Sequence, residues 1–161
     1  MRKLAFATLV ASMFVLASLV SIPAVSADYD EPKPLLCTVS FSIDLMDPDA
    51  HWVGSVAGDV EGTIEIWENW AEYFVVGKAE HFFENFSIYT DDSNFINGTD
   101  KGIWTFATLK FRATGFVTDA FGDWSYLAGY KVMMRGFTSE FPPTPPSTNV
   151  TASGMMMFAP P

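Results

Sequence analysis

The chain reads as an all-β protein: a single antiparallel β-barrel of six to eight strands behind a cleaved signal peptide. Two observations predict the fold. Apolar residues recur at every second position in several runs. No stretch of about 10–15 residues shows apolar spacing of three and four between a cap and a stop. A sheet with no helix to cover it must stack on another sheet or close on itself, and long, bendable runs favour closure.

The first element is a targeting segment. Arg2 and Lys3 precede an apolar stretch from Leu4 to Val20, then Pro23, then the small residues Val25 and Ala27 before Asp28. That order is a signal peptide, cut after Ala27. A single anchoring helix is the competing reading, because the stretch is near the lower length limit for a bilayer; Pro23 and the small residues favour removal. A lipidated Cys37 would need a small residue before it, and Leu36 stands there. Residues 28–35 form an extended leader, and 36–161 form the barrel domain.

The clearest strand begins at Leu36. Cys37, Val39, Phe41, Ile43 and Leu45 are apolar, while Thr38, Ser40, Ser42 and Asp44 between them are polar, as in a half-buried strand. Residues 47–51 turn the chain by their Asp and Pro content. Residues 59–69 give a second strand, with Val60, Ile64 and Ile66 on one face. Residues 74–90 read as one long strand bent or bulged at Gly77. Residues 91–102 read as a polar loop. Residues 103–118 and 124–138 then read as one long hairpin, with Trp104, Phe106 and Phe116 on its outer face. The four prolines of 141–148 exclude a strand, and 149–158 is the last strand. If Asn85 faces solvent, period two sends Glu80, Phe82, Glu84, Phe86 and Ile88 inward; in the opposite register Phe83 faces the core and Glu84 is solvated.

Charge narrows the partners. The chain has nine Lys and Arg against 19 Asp and Glu. Such a surface repels nucleic acid and anionic membranes, and no membrane span remains after cleavage. Cys37 is the only cysteine, so no intrachain disulfide forms. It is expected as an inert core thiol; a nucleophile would need His51 or His81 nearby.

Several constellations carry candidate chemistry. Glu84 between Phe82 and Phe86 would be a desolvated acid, fit to serve as acid, base or ligand anchor. Tyr126 and Tyr130 are further ligand-binding candidates. Asn85, Asn97 and Asn149 head N-glycosylation triplets in an exported chain, with Asn97 the foremost as part of the polar loop. The acids at 47–51 and 91–100 lack the spacing of an EF-hand and are expected as solvated loops. Met133, Met134 and Met155–Met157 alternate faces and are expected to fill core and interface, without metal. No cofactor is expected.

The run Gly122-Asp123-Trp124-Ser125-Tyr126-Leu127-Ala128-Gly129-Tyr130, preceded by Gly115-Phe116-Val117-Thr118, resembles the turn-and-strand segment of the allene oxide cyclase and dirigent-like barrels. That resemblance implies an eight-stranded antiparallel barrel, commonly a dimer or trimer, with an apolar cavity for a lipid-derived or phenolic ligand. None of those families' catalytic positions carries over onto this chain. The expected function is therefore a secreted or cell-surface barrel without enzymatic activity, binding a small apolar molecule or serving as a surface interaction module. The alternatives are an isomerase or cyclase of the allene oxide cyclase type, or a structural envelope protein. The outward aromatics predict a homo-oligomer, a trimer or dimer. A lumen packed solid would favour the structural role; an open apolar cavity with a buried acid would favour a ligand or a substrate.

Overall fold

A computed structural model describes residues 32–161 except 142 and 144. The signal-peptide assignment lies outside the described residues, as does the first half of the leader. The described chain is a closed eight-stranded antiparallel barrel with one additional strand. The strands are β1 (Leu35–Asp44), β2 (Trp52–Gly58), β3 (Gly62–Glu68), β4 (Phe74–Val76), β5 (Ala79–Tyr89), β6 (Phe95–Thr105), β7 (Lys110–Ala120), β8 (Lys131–Thr138) and β9 (Asn149–Ala159). Their order in the sheet is β3-β2-β1-β9-β8-β7-β6-β5-β4, and pairing of β3 with β5 closes the barrel. β4 is the extra strand, a short flap on β5.

The alternation read for Leu36 onward appears as the burial pattern of β1, where Cys37, Val39, Phe41 and Ile43 face inward. β5 likewise buries Glu80, Phe82, Glu84, Phe86 and Ile88, so the register that sends Glu84 inward is the one adopted.

Five boundaries differ from the sequence reading. Residues 52–58, given no element between the turn at 47–51 and the strand at 59–69, form β2. Residues 74–90 are two strands, because Gly77 takes a left-handed φ of 64° and turns a hairpin rather than a bulge. Residues 95–102, expected as part of a loop, belong to β6 together with 103–105. The run 103–118 is broken by a turn at 106–109, where Leu109 has φ 56°. The inward parity switches across that turn: Trp104 faces the lumen at 8 % exposure, and of the three aromatics expected on the outer face only Phe116, at 59 %, points outward from a strand. Phe106 sits in the turn and packs on the core. Lastly, Gly122–Leu127 form a 3-10 helix instead of opening β8.

The two ends of the barrel differ. At one end Val60, Ile64, Ile88, Ile96, Val117 and Leu127 are almost wholly buried, and the 3-10 helix closes the lumen by inserting Leu127. The other end, where β3, β6 and β8 finish and β2, β5, β7 and β9 start, holds the carboxyl groups.

Candidate functional site

Glu68, Glu84 and Asp100 lie in one row across β3, β5 and β6, because Glu68 pairs with Glu84 and Glu84 with Asp100 in the sheet register. Glu80 is one inward step from Phe82 on β5, opposite Trp104 of β6. Period two thus turns four carboxyl groups of three adjacent strands into the same end of the lumen. Among the described residues Glu80, Glu84 and Asp100 are the buried charged ones. Aromatic rings wall them in: Phe41, Trp52, Phe82, Trp104 and Phe111 line the same cavity as Glu68, Glu80 and Glu84. Its free volume is about 30 Å³, room for one or two water-sized groups.

No Lys, Arg or His lines this cavity, so the acids repel one another in a poorly solvated space. Trp52 Nε1 donates to Glu68 Oε1 at 2.9 Å, while Glu68 Oε2 has no hydrogen-bond partner, Trp104 Nε1 finds no acceptor, and the Asp100 oxygens meet no donor except the Glu84 carboxyl. Burial raises the Glu68 pKa, with the Trp52 hydrogen bond opposing it. Glu80 is pushed up to about 7 by burial and by the charge of Glu68, offset in part by Tyr73. Glu84 is raised well above the carboxylate range, by burial first and by Asp100 next. Burial lifts Asp100 to about 6, and the neighbouring Glu84 opposes part of the rise. Such orphaned buried polar atoms are uncommon and call for an explanation.

Beside the cavity, Phe141 packs against cavity-lining Trp104 and against Phe106. Phe141 stands edge-on to Trp104 at 4.9 Å between ring centroids and stacks over Phe106 at 6.3 Å.

The structure brings together Glu84 and Phe82 of the residues singled out from the sequence. Phe86 lies deeper, 1 % exposed. Tyr130 is buried and Tyr126 exposed beside the 3-10 helix, where Val117 N–H donates to the Tyr130 carbonyl. Val117 is six residues along β7 from cavity-lining Phe111, roughly 20 Å away. The two tyrosines therefore belong to the opposite end from Glu84. Glu68, Glu80 and Asp100 were not singled out. Glu80 was legible in the alternation of β5, whereas Asp100 was hidden in a segment read as loop.

Asn85 and Asn149 are exposed, while Asn97 is half-buried on β6 with its Oδ1 accepting from Ser87 Oγ at 2.8 Å. Cys37 is buried, and burial raises its thiol pKa. Among the described residues no group of three or more His, Cys, Asp or Glu is arranged to hold a metal ion, and no helix is long and apolar enough to cross a membrane. No protein-family model matches the chain, and neither a curated protein nor a solved structure matches it.

Proposed function

We propose that the chain is an exported, non-enzymatic binding barrel whose mouth captures a small amine with an apolar body. The supporting observation is the cavity: Glu68, Glu80 and Glu84 line it with no Lys, Arg or His among them, and at its wall Glu68 Oε2 and Trp104 Nε1 have no hydrogen-bond partner. A primary ammonium brings three N–H donors and one positive charge in about the volume of a water molecule. It fits the free space between Glu68, Glu80 and Glu84. The apolar body then lies upward against Trp104, Phe106 and Phe141, where aromatic faces also favour a cation. Trp104 Nε1–H asks for an acceptor on the same guest, as an amino alcohol offers.

Sign and pH dependence follow from the chemistry. The acids must lose protons to attract an ammonium, so affinity rises as pH passes upward through the range near 6 to 7 set by Asp100 and Glu80. Calorimetric titration with alkylammonium ions and their uncharged alcohol counterparts tests this. Ammonium binding that strengthens from acid to neutral pH, and that Glu84→Gln weakens, is the expected result. Equal binding of alcohol and ammonium would defeat the amine assignment, and no binding of either would defeat the binding reading.

An isomerase or cyclase is the second reading, favoured by one observation: Glu80, with a pKa of about 7, is poised to give and take a proton near neutrality.

A further inference from the structure

Two features on the outside of the barrel complement each other. The first is a basic face. β6, β7 and β8 turn Lys101, Lys110, Arg112, Lys131 and Arg135 outward, five of the nine Lys and Arg in a chain of net charge −10. No outward position of β6, β8 or β9 is acidic, nor any on β7 before Asp119. Arg112 and Arg135 are direct cross-strand partners. Like charges directly opposite on a sheet are destabilising, and an anion laid between two guanidiniums reverses that. Ile103 flanks the pair on one side and Met155 on the other, and Phe137 lies beside them at 56 % exposure.

The second feature is an arm. β4 is hydrogen-bonded along one edge only, at the end of the sheet order, and all three of its residues are exposed. The loop before it carries Trp70, 62 % exposed, and the exposed Glu72. An open apolar edge strand is a site of association. Arm and basic face adjoin on the same molecule: Phe74 and Arg112 line one groove, and Arg112 lines the next together with Arg135, Phe137 and Met155. A two-fold axis beside that groove sets each arm on the other copy's face, giving a closed, isologous contact.

We propose that the chain forms a homodimer in which the arm of each copy, residues 70–76, lies in the Arg112–Arg135 groove of the other, with Glu72 between the two guanidiniums. Charge complementarity selects the occupant. The groove lacks a carboxylate and the arm presents one at its exposed tip, in the geometry where arginine pairs most strongly. The groove's composition, Arg with Met and aromatic residues inside a Lys rim, is that of interface cores rather than of open surface.

Sedimentation of the purified chain tests the proposal. The wild type should be dimeric at micromolar concentration and weaken as salt is raised. Glu72→Arg, and separately Arg112→Glu with Arg135→Glu, should each raise the dimer dissociation constant roughly tenfold or more. The three changes in one chain should restore association, which rules out unfolding as the cause of the loss. A wild-type monomer throughout, a dimer indifferent to both charge reversals, or a monomer that instead binds vesicles of anionic phospholipid through Arg112 and Arg135 would overturn it.

Discussion

Phenylalanine rings in the lumen lie over glycines of the neighbouring strand. Phe41 pairs with Gly54, Phe82 with Gly102, Phe86 with Gly98 and Phe111 with Gly136 in the sheet register. A β-carbon at Gly98 would fall on the Phe86 ring, and one at Gly102 on the Phe82 ring. Each ring thus takes the volume its partner's side chain would have filled, which lets four phenylalanines share a lumen with four acids. Gly98→Ala is expected to lower stability by about 1–3 kcal/mol through overpacking against a ring with nowhere to move. Adding Phe86→Leu should recover part of that loss, a coupling of about 0.5 kcal/mol or more between contacting residues. Chemical denaturation of the two single variants and the double variant measures it, and strict additivity would refute the pairing. Glu84 was legible because its own strand alternates. The space-sharing was not, since a glycine's role here depends on which ring stands opposite, and sequence order does not disclose that.

At the scale of elements, the strands that escaped the sequence reading share a cause. β6 places Ile96, Gly98, Asp100, Gly102 and Trp104 inward, so only two of its five inner positions are large and apolar. The missing apolar volume comes from Phe82 and Phe86 of β5, and the period-two signal disappears from β6 itself. β2 hides in another way: Val53 and Ala57 face outward while Gly54 faces in under Phe41, so neither face is distinctly polar. The turn at 106–109 carries no glycine to announce it, since Leu109 holds the left-handed position. The described residues of the proline-containing segment form no strand, and Phe141 at its start supplies the ring that packs on Trp104 and Phe106. Phe141→Ala removes the contacts with Trp104 and Phe106, and should cost about 1 kcal/mol. The larger expected effect is kinetic: we propose that Phe141 screens the entrance, so without its ring an alkylammonium probe should enter and leave faster with little change in affinity. Stopped-flow tryptophan fluorescence reads both rates, and unchanged rates would show that the segment does not cover the entrance.

For the whole molecule, the lumen couples folding to protons. In the unfolded chain the four acids ionise near pH 4, whereas in the barrel Glu80 holds its proton to about 7 and Asp100 to about 6, with Glu84 and Glu68 also raised. Between those limits these four acids bind more protons in the folded state than in the unfolded one, so their contribution to stability is full below about pH 4 and is lost as pH rises through the folded values. Net charge acts in the same direction, because a chain at −10 repels itself more as its surface acids ionise. One pKa unit corresponds to about 1.4 kcal/mol, and after allowance for solvent screening at the mouth the total loss between about pH 5 and about pH 8 is roughly 3 kcal/mol. On the proposed function, guest and proton would neutralise the same charges in turn, acid stabilising the empty barrel and an ammonium replacing the protons near neutrality. Thermal unfolding followed by circular dichroism should give a higher midpoint at the acid end of that range. Glu84→Gln with Asp100→Asn should flatten the dependence and raise stability at the alkaline end, because each removes a buried charge while keeping the shape of its side chain. A wild-type midpoint that climbs with pH across this window would show that the acids are ionised and compensated inside the barrel, and both the protonated lumen and the amine it is proposed to admit would have to be abandoned.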